Sequence, residues 1–148
     1  MNSPIPRADV VAAARELIDT AEDQTGATLD LSRSPAAAER LGRIAAAELR
    51  SHAVDLVVAW DDARDAVLSH IAARELGVAR VTVYEDLGQV IVAAHRLHGA
   101  RLGVVFATED DRHDLGPLTA ITTRGGGEVV ATVVAVRSDE LAAASERS

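Results

Sequence analysis

The chain has 148 residues, a net charge of -8 and 48% hydrophobic residues, enough for one well-packed core. It has no cysteine, which excludes disulfides and Cys-ligated zinc, and no lysine, which excludes Walker-type P-loops, Schiff-base chemistry and receiver-type phosphorylation sites. The acidic balance argues against non-specific nucleic-acid binding, which needs clustered cations.

Val10, Val11, Ala14, Leu17, Ile18 and Ala21 recur at helical spacing and predict a first amphipathic helix, with Pro6 in its first turn and Gly26 closing the region. Leu29 and Leu31 alternate with polar residues, predicting a short extended segment. Ser34 followed by Pro35 is an N-cap and N1 pair. It opens a second helix to about Ser51, with Leu41, Ile44, Ala45 and Leu49 inward.

Four apolar runs read as buried strands: Val54 to Trp60, Arg80 to Tyr84, Leu102 to Ala107 and Val129 to Val136. They lack alternation, as strands covered on both faces do. A helix from Asp62 to Leu76, ended by Gly77, separates the first two. Another, from Leu115 to about Arg124, ends at Gly125-Gly126-Gly127 and separates the last two. Gln89 to His95 is an extra strand or hairpin arm turning at His98-Gly99, and Ser138 to Ser148 a short helix or tail. The alternation predicts an α/β fold: a single-domain open parallel sheet with flanking helices, joined by right-handed crossovers. The domain is expected over residues 1–148, with 1–27 as the N-terminal helix region and 138–148 as a tail. No apolar run reaches the roughly 20 residues that span a bilayer, and the start lacks a basic-then-apolar leader, so a cytoplasmic location and no membrane partner are expected.

Ligands of open α/β sheets bind at the carboxyl ends of the strands. Here the ends are Trp60-Asp61-Asp62 with Asp65 nearby, Tyr84-Glu85-Asp86, and Glu109-Asp110-Asp111 with Asp114 close by. The three acidic groups are expected to converge on one rim, fit for magnesium or sugar hydroxyls. The plain reading of Asp61 and Asp62 is a cap for the following helix, and of Glu85 and Asp86 a solvated turn. For Glu109 and Asp110 the ligand reading and the loop reading both stand. Trp60, Tyr84 and Phe106 follow directly from core strands and read as sheet-end packing. His95, His98 and His113 match no zinc spacing and read as surface histidines.

Two stretches resemble the type I phosphoribosyltransferase family. Val54-Asp55-Leu56-Val57-Val58-Ala59-Trp60 through Ile71-Ala72-Ala73-Arg74-Glu75-Leu76-Gly77-Val78 is similar to that family's strand, pyrophosphate turn and helix. Gly103-Val104-Val105-Phe106-Ala107-Thr108-Glu109-Asp110, on to Gly116 and Gly126-Gly127-Glu128-Val129-Val130, is similar to its signature strand, acid pair, phosphate loop, helix and next strand. The resemblance implies a phosphoribosyltransferase-like fold with Glu109 and Asp110 as the ribose-binding pair, joined by Asp111 and Gly116 in the ligand site. It also implies Mg2+ as the cofactor, held at Glu109 and Asp110, a nucleotide or sugar-phosphate ligand, and a homodimer. Trp60, Asp61, Asp62, Arg64, Tyr84 and Glu85 would line the rim.

The phosphate-gripping residues depart from the family pattern. The loop His113-Asp114-Leu115-Gly116-Pro117 keeps one glycine, Pro117 removes an N–H donor, and Asp114 puts a carboxylate where a phosphate would sit. The turn Asp61-Asp62-Ala63-Arg64-Asp65 has no glycine; Arg64 can meet an anion or pair with a neighbouring Asp. The family's long flexible loop is cut to Glu85–Gln89. The expectation is a domain without transferase activity that acts as a ligand-binding, regulatory or interaction module. The alternatives are a divergent, active magnesium-dependent transferase using phosphoribosyl pyrophosphate, and an unrelated magnesium-dependent α/β hydrolase.

Overall fold

The computed structural model describes residues 5–19, 27–93, 96–109 and 115–146. Its elements run α1 (Ala8–Arg15), β1 (Ile18–Asp19), β2 (Thr28–Leu29), a 3-10 turn (Leu31–Arg33), α2 (Pro35–Arg50), β3 (Leu56–Trp60), α3 (Ala63–Leu76) and β4 (Ala79–Asp86). Then come β5 (Gln89–Ile91), β6 (Arg101–Thr108), α4 (Leu115–Arg124), β7 (Glu128–Val136) and α5 (Ser138–Ser145). A five-stranded sheet has the order β5-β4-β3-β6-β7. Its β4-β3-β6-β7 ladders are parallel, and β5 runs antiparallel to β4.

The apolar runs form strands because each is buried from two sides. Val57, Val105, Ala107, Val133 and Ala135 pack with residues of α1, α2, α3 and α5. Leu56, Val58, Trp60, Val81, Val83, Leu102, Val104 and Phe106 pack on the opposite side with Leu97 and Leu118. Helices α2 and α3 cross closely at Gly42, where an added Cβ would lie 2.4 Å from Ile71 Cγ2. Among the described residues no helix is long and apolar enough to cross a membrane.

Local signals placed several boundaries. Ser34 Oγ accepts from Ala37 N at 3.2 Å and Pro35 is the first residue of α2. Asp62 caps α3, and Gly77 closes it at φ +70, a conformation that favours glycine. Gly99 takes φ +71 in the turn expected at His98-Gly99.

Other expectations are corrected. The first helix stops at Arg15: Ile18 pairs with Leu29 across the β1–β2 ladder, so strand pairing overrides helical periodicity there. Pro6 lies before the N-cap, Arg7, instead of in the first turn. Leu31 leaves the extended segment because the Asp30 carboxylate accepts from Ser32 N at 3.0 Å and starts the 3-10 turn. Glu85 and Asp86 are not a solvated turn. They extend β4, paired with Val90 and Gln89, and the chain turns at Leu87-Gly88. What reads as a shortened loop is thus the tip and stem of a β-hairpin. His95 lies outside the described residues.

At the C-terminal end, the N-terminal segment is tied to α5. Glu140, fully buried, accepts from Arg7 N (2.8 Å), Arg7 Nε (2.9 Å), an Arg7 terminal nitrogen (2.8 Å) and Arg137 N (3.0 Å). Arg7 also pairs with Glu48 and donates to the carbonyls of Val134 and Ala135. Burial pushes the Glu140 carboxyl up, but the bonds from Arg7 and the backbone N–H groups outweigh it and hold it at about 2.

Candidate functional site

The sheet changes winding direction between β3 and β6: β4 and β5 lie to one side of β3, β6 and β7 to the other. That junction is where an open α/β sheet makes its ligand crevice. The β3–β6 ladder ends at Val58↔Val104, two residues before β3 does. Beyond it Asp61 N donates to Val83 O at 2.7 Å, which continues the ladder to β4, and Asp62 N turns back to Trp60 O at 2.8 Å.

The turn after β3 serves its own helix. Asp62 Oδ1 accepts from Arg64 N at 3.0 Å and from Asp65 N at 3.3 Å, and Arg64 Nε stands 3.5 Å from the same oxygen. The amides that could meet an anion at the start of α3 therefore face the protein's own carboxylate. Asp65, one turn in, is 3% exposed and its Oδ1 accepts from Ala107 N at 2.7 Å.

Across the crevice, Glu109 follows the last residue of β6, and its Oε2 accepts from Ser138 Oγ at 2.7 Å, at the first residue of α5. A cavity of about 210 Å³ lies here, lined by Arg64, Thr28, Thr108, Glu109 and Ser138 with the apolar surfaces of Ala27, Val136 and Leu141. Arg64 also borders a second hollow, of about 400 Å³, shared by Leu29, Leu31 and Val67.

The candidates from sequence separate clearly. Arg64 and Glu109 meet at one cavity. Trp60 is buried, packed with the core on the α4 side of the sheet, while Tyr84, Glu85 and Asp86 are exposed on the hairpin stem. Asp61 is exposed and Asp62 is the helix cap. Gly116 and Pro117 are exposed in the first turn of α4, where Pro117 offers no N–H. Asp110, Asp111, His113 and Asp114 lie outside the described residues. Among the described residues no three acidic or histidine side chains come close enough to hold a metal ion; the expected convergence of the three acidic groups turns on Asp110, Asp111 and Asp114, which lie outside them. Glu109 is turned to Ser138 and Asp62 to backbone amides; Asp110, the second acid of the implied magnesium pair, lies outside the described residues.

The sequence reading missed Ser138, Thr28 and the role of Asp65. No local pattern marks Ser138, which reaches Glu109 only because β7 packs beside β6. Asp65 did carry a signal: with Leu68, Ser69 and Ala72 it falls at i, i+3, i+4 and i+7, and all four are buried.

The sequence matches no protein-family model, and no curated protein was found similar to it. Solved structures do match. The chain is similar to adenine phosphoribosyltransferase from Saccharomyces cerevisiae, complexed with an imino-altritol bisphosphate and adenine, at TM-score 0.72 and 12% identity over 96% of each chain. It is similar to the adenine phosphoribosyltransferase of Rhodothermus marinus at TM-score 0.72 and 14% identity, over 93% of this chain and 91% of that one. Orotate phosphoribosyltransferase from Mycobacterium tuberculosis, in complex with inorganic phosphate, matches at TM-score 0.66 and 18% identity, over 88% and 77%. The fold is that of the type I phosphoribosyltransferases, as the two resembling stretches implied.

Proposed function

We propose that this chain is a small-molecule-binding domain on the phosphoribosyltransferase fold that does not catalyse phosphoribosyl transfer. The observation that carries this is the β3–α3 turn. Asp62 occupies the amides of Arg64 and Asp65 and stands beside the Arg64 guanidinium. A pyrophosphate arriving there would have to displace that carboxylate and would meet Asp61 and Asp65 beside it, and like charges at close range repel. Pro117 weakens the second anion-binding position by one donor.

The cavity between Arg64 and Glu109 suits a neutral molecule. It offers one guanidinium already facing an acid, one carboxylate, three hydroxyls from Thr28, Thr108 and Ser138, and three apolar surfaces. A nucleobase or a nucleoside without phosphate fits that chemistry. Adenine, bound by the yeast structural relative, is the first probe.

A divergent, active magnesium-dependent transferase is the second reading. The position of Glu109, at the end of β6 and facing the cavity, favours it. The unrelated magnesium-dependent hydrolase finds no support in the structural matches. Incubation with phosphoribosyl pyrophosphate, magnesium and a panel of purine and pyrimidine bases separates the first two: no pyrophosphate release is expected, and turnover with any base selects the second. The homodimer implied by the resemblance is part of the proposal, and light scattering showing monomer at every concentration would remove it.

A further inference from the structure

We infer that Asp65 is a positioning residue. Its carboxylate holds the crevice between β3 and β6 open and sets Thr108 and Glu109 against the cavity. This rests on the reading of that cavity as the ligand site.

The register makes the case. Leu56, Val57 and Val58 pair with Leu102, Gly103 and Val104, so a longer ladder would set Ala107 opposite Asp61. The ladder does not reach that far: Trp60 O, the β3 carbonyl that the same alternation would turn to Ala107 N, accepts from Asp62 N at 2.8 Å instead. Ala107 is 1% exposed, so its N–H must find an acceptor or cost the free energy of an unmade buried bond. Asp65 Oδ1 supplies it at 2.7 Å, a short charge-assisted bond that stands in for the missing strand.

Asp65 is itself fixed. It sits in the first turn of α3, where the helix dipole favours an anion, and its N–H donates to Asp62. One residue before it, Arg64 lines the cavity; one and two residues after Ala107, Thr108 and Glu109 do the same. The bond from Asp65 to Ala107 therefore sets the opposite walls of the cavity relative to each other. Without it, the Ala107 N–H would be relieved by a shift of the β6 end toward β3, which carries Glu109 with it.

Amide exchange by NMR on the full chain tests this, with Asp65→Asn, which keeps an acceptor, and Asp65→Leu, which does not. In the unsubstituted chain the Ala107 amide should be as protected as its neighbours in β6. Asp65→Leu should speed its exchange roughly ten- to hundredfold. It should also move the Thr108 and Glu109 amide resonances and weaken the Trp60 fluorescence response to adenine, while Asp65→Asn stays within a few-fold of the unsubstituted chain on each. Unchanged Ala107 exchange in Asp65→Leu overturns the assignment. So does faster exchange with Thr108 and Glu109 unmoved, since the bond would then be structural only. Should Asp65→Leu fail to fold, an unprotected Ala107 amide in the unsubstituted chain overturns it equally. If adenine gives no response in any form, the ligand reading fails, while the exchange and resonance data still decide the role of Asp65.

Discussion

Glu140 and Asp65 are two buried carboxylates that solve the same problem in different ways. Glu140 is matched by the Arg7 guanidinium, by that of Arg137 at 3.4 Å and by two backbone N–H groups, and it ties residue 7 to a helix 133 positions away. Asp65 holds a strand N–H at 2.7 Å beside a cavity and sits in the first turn of its own helix. The first acid closes the molecule; the second keeps a part of it open. A buried charge alone therefore does not mark a site. The partner does: a cation with many bonds signals a clasp, and a strand amide where a ladder has been interrupted signals a crevice.

Four experiments bear on that contrast. The largest effect is expected from Arg7→Ala, which removes the nearer guanidinium from a buried acid and its ties to Glu48, Val134 and Ala135, and should cost about 3–5 kcal/mol in urea unfolding. A loss no greater than that of an exposed arginine would erase the distinction between the two acids. Asp65→Leu should cost less, about 1.5–3 kcal/mol, because one charge-assisted bond is lost and the charge goes with it.

The clasp also has a pH signature. Glu140 is held at about 2 in the folded chain, against an ordinary value of 4.5. A depressed carboxylate contributes stability that is fully present above its ordinary value and lost as pH falls through the folded one. Unfolding midpoints should fall between about pH 4.5 and pH 2, with a steeper slope than in Glu140→Gln; equal slopes would show that the pair is not coupled to folding. The smallest effect belongs to Ser138→Ala. It frees Glu109 at an exposed position and should change stability by less than about 0.5 kcal/mol while altering the response to adenine.

Much of the fold was legible because its signals are local. The apolar runs of β3, β6 and β7, Ser34-Pro35 at the start of α2, and Asp62 and Gly77 at the two ends of α3 each act within a few residues. The first helix was over-extended because the β1–β2 pairing that claims Ile18 is invisible to helical spacing. Glu85 and Asp86 were misjudged because their charge outweighed the hairpin that recruits them into β4. At the site, Glu109 could be placed from the end of an apolar run. The Glu109–Ser138 and Asp65–Ala107 bonds could not, since each depends on which strands become neighbours. Arg7 and Glu140 meet for the same reason.

The most direct test is calorimetric titration of the full chain with phosphoribosyl pyrophosphate and magnesium, alongside a titration with adenine. No heat from the pyrophosphate compound up to millimolar concentration, together with binding of adenine, is the expected result. Saturable binding of phosphoribosyl pyrophosphate, followed by pyrophosphate release when a base is added, would show that the self-capped turn at Asp62 does not bar the anion.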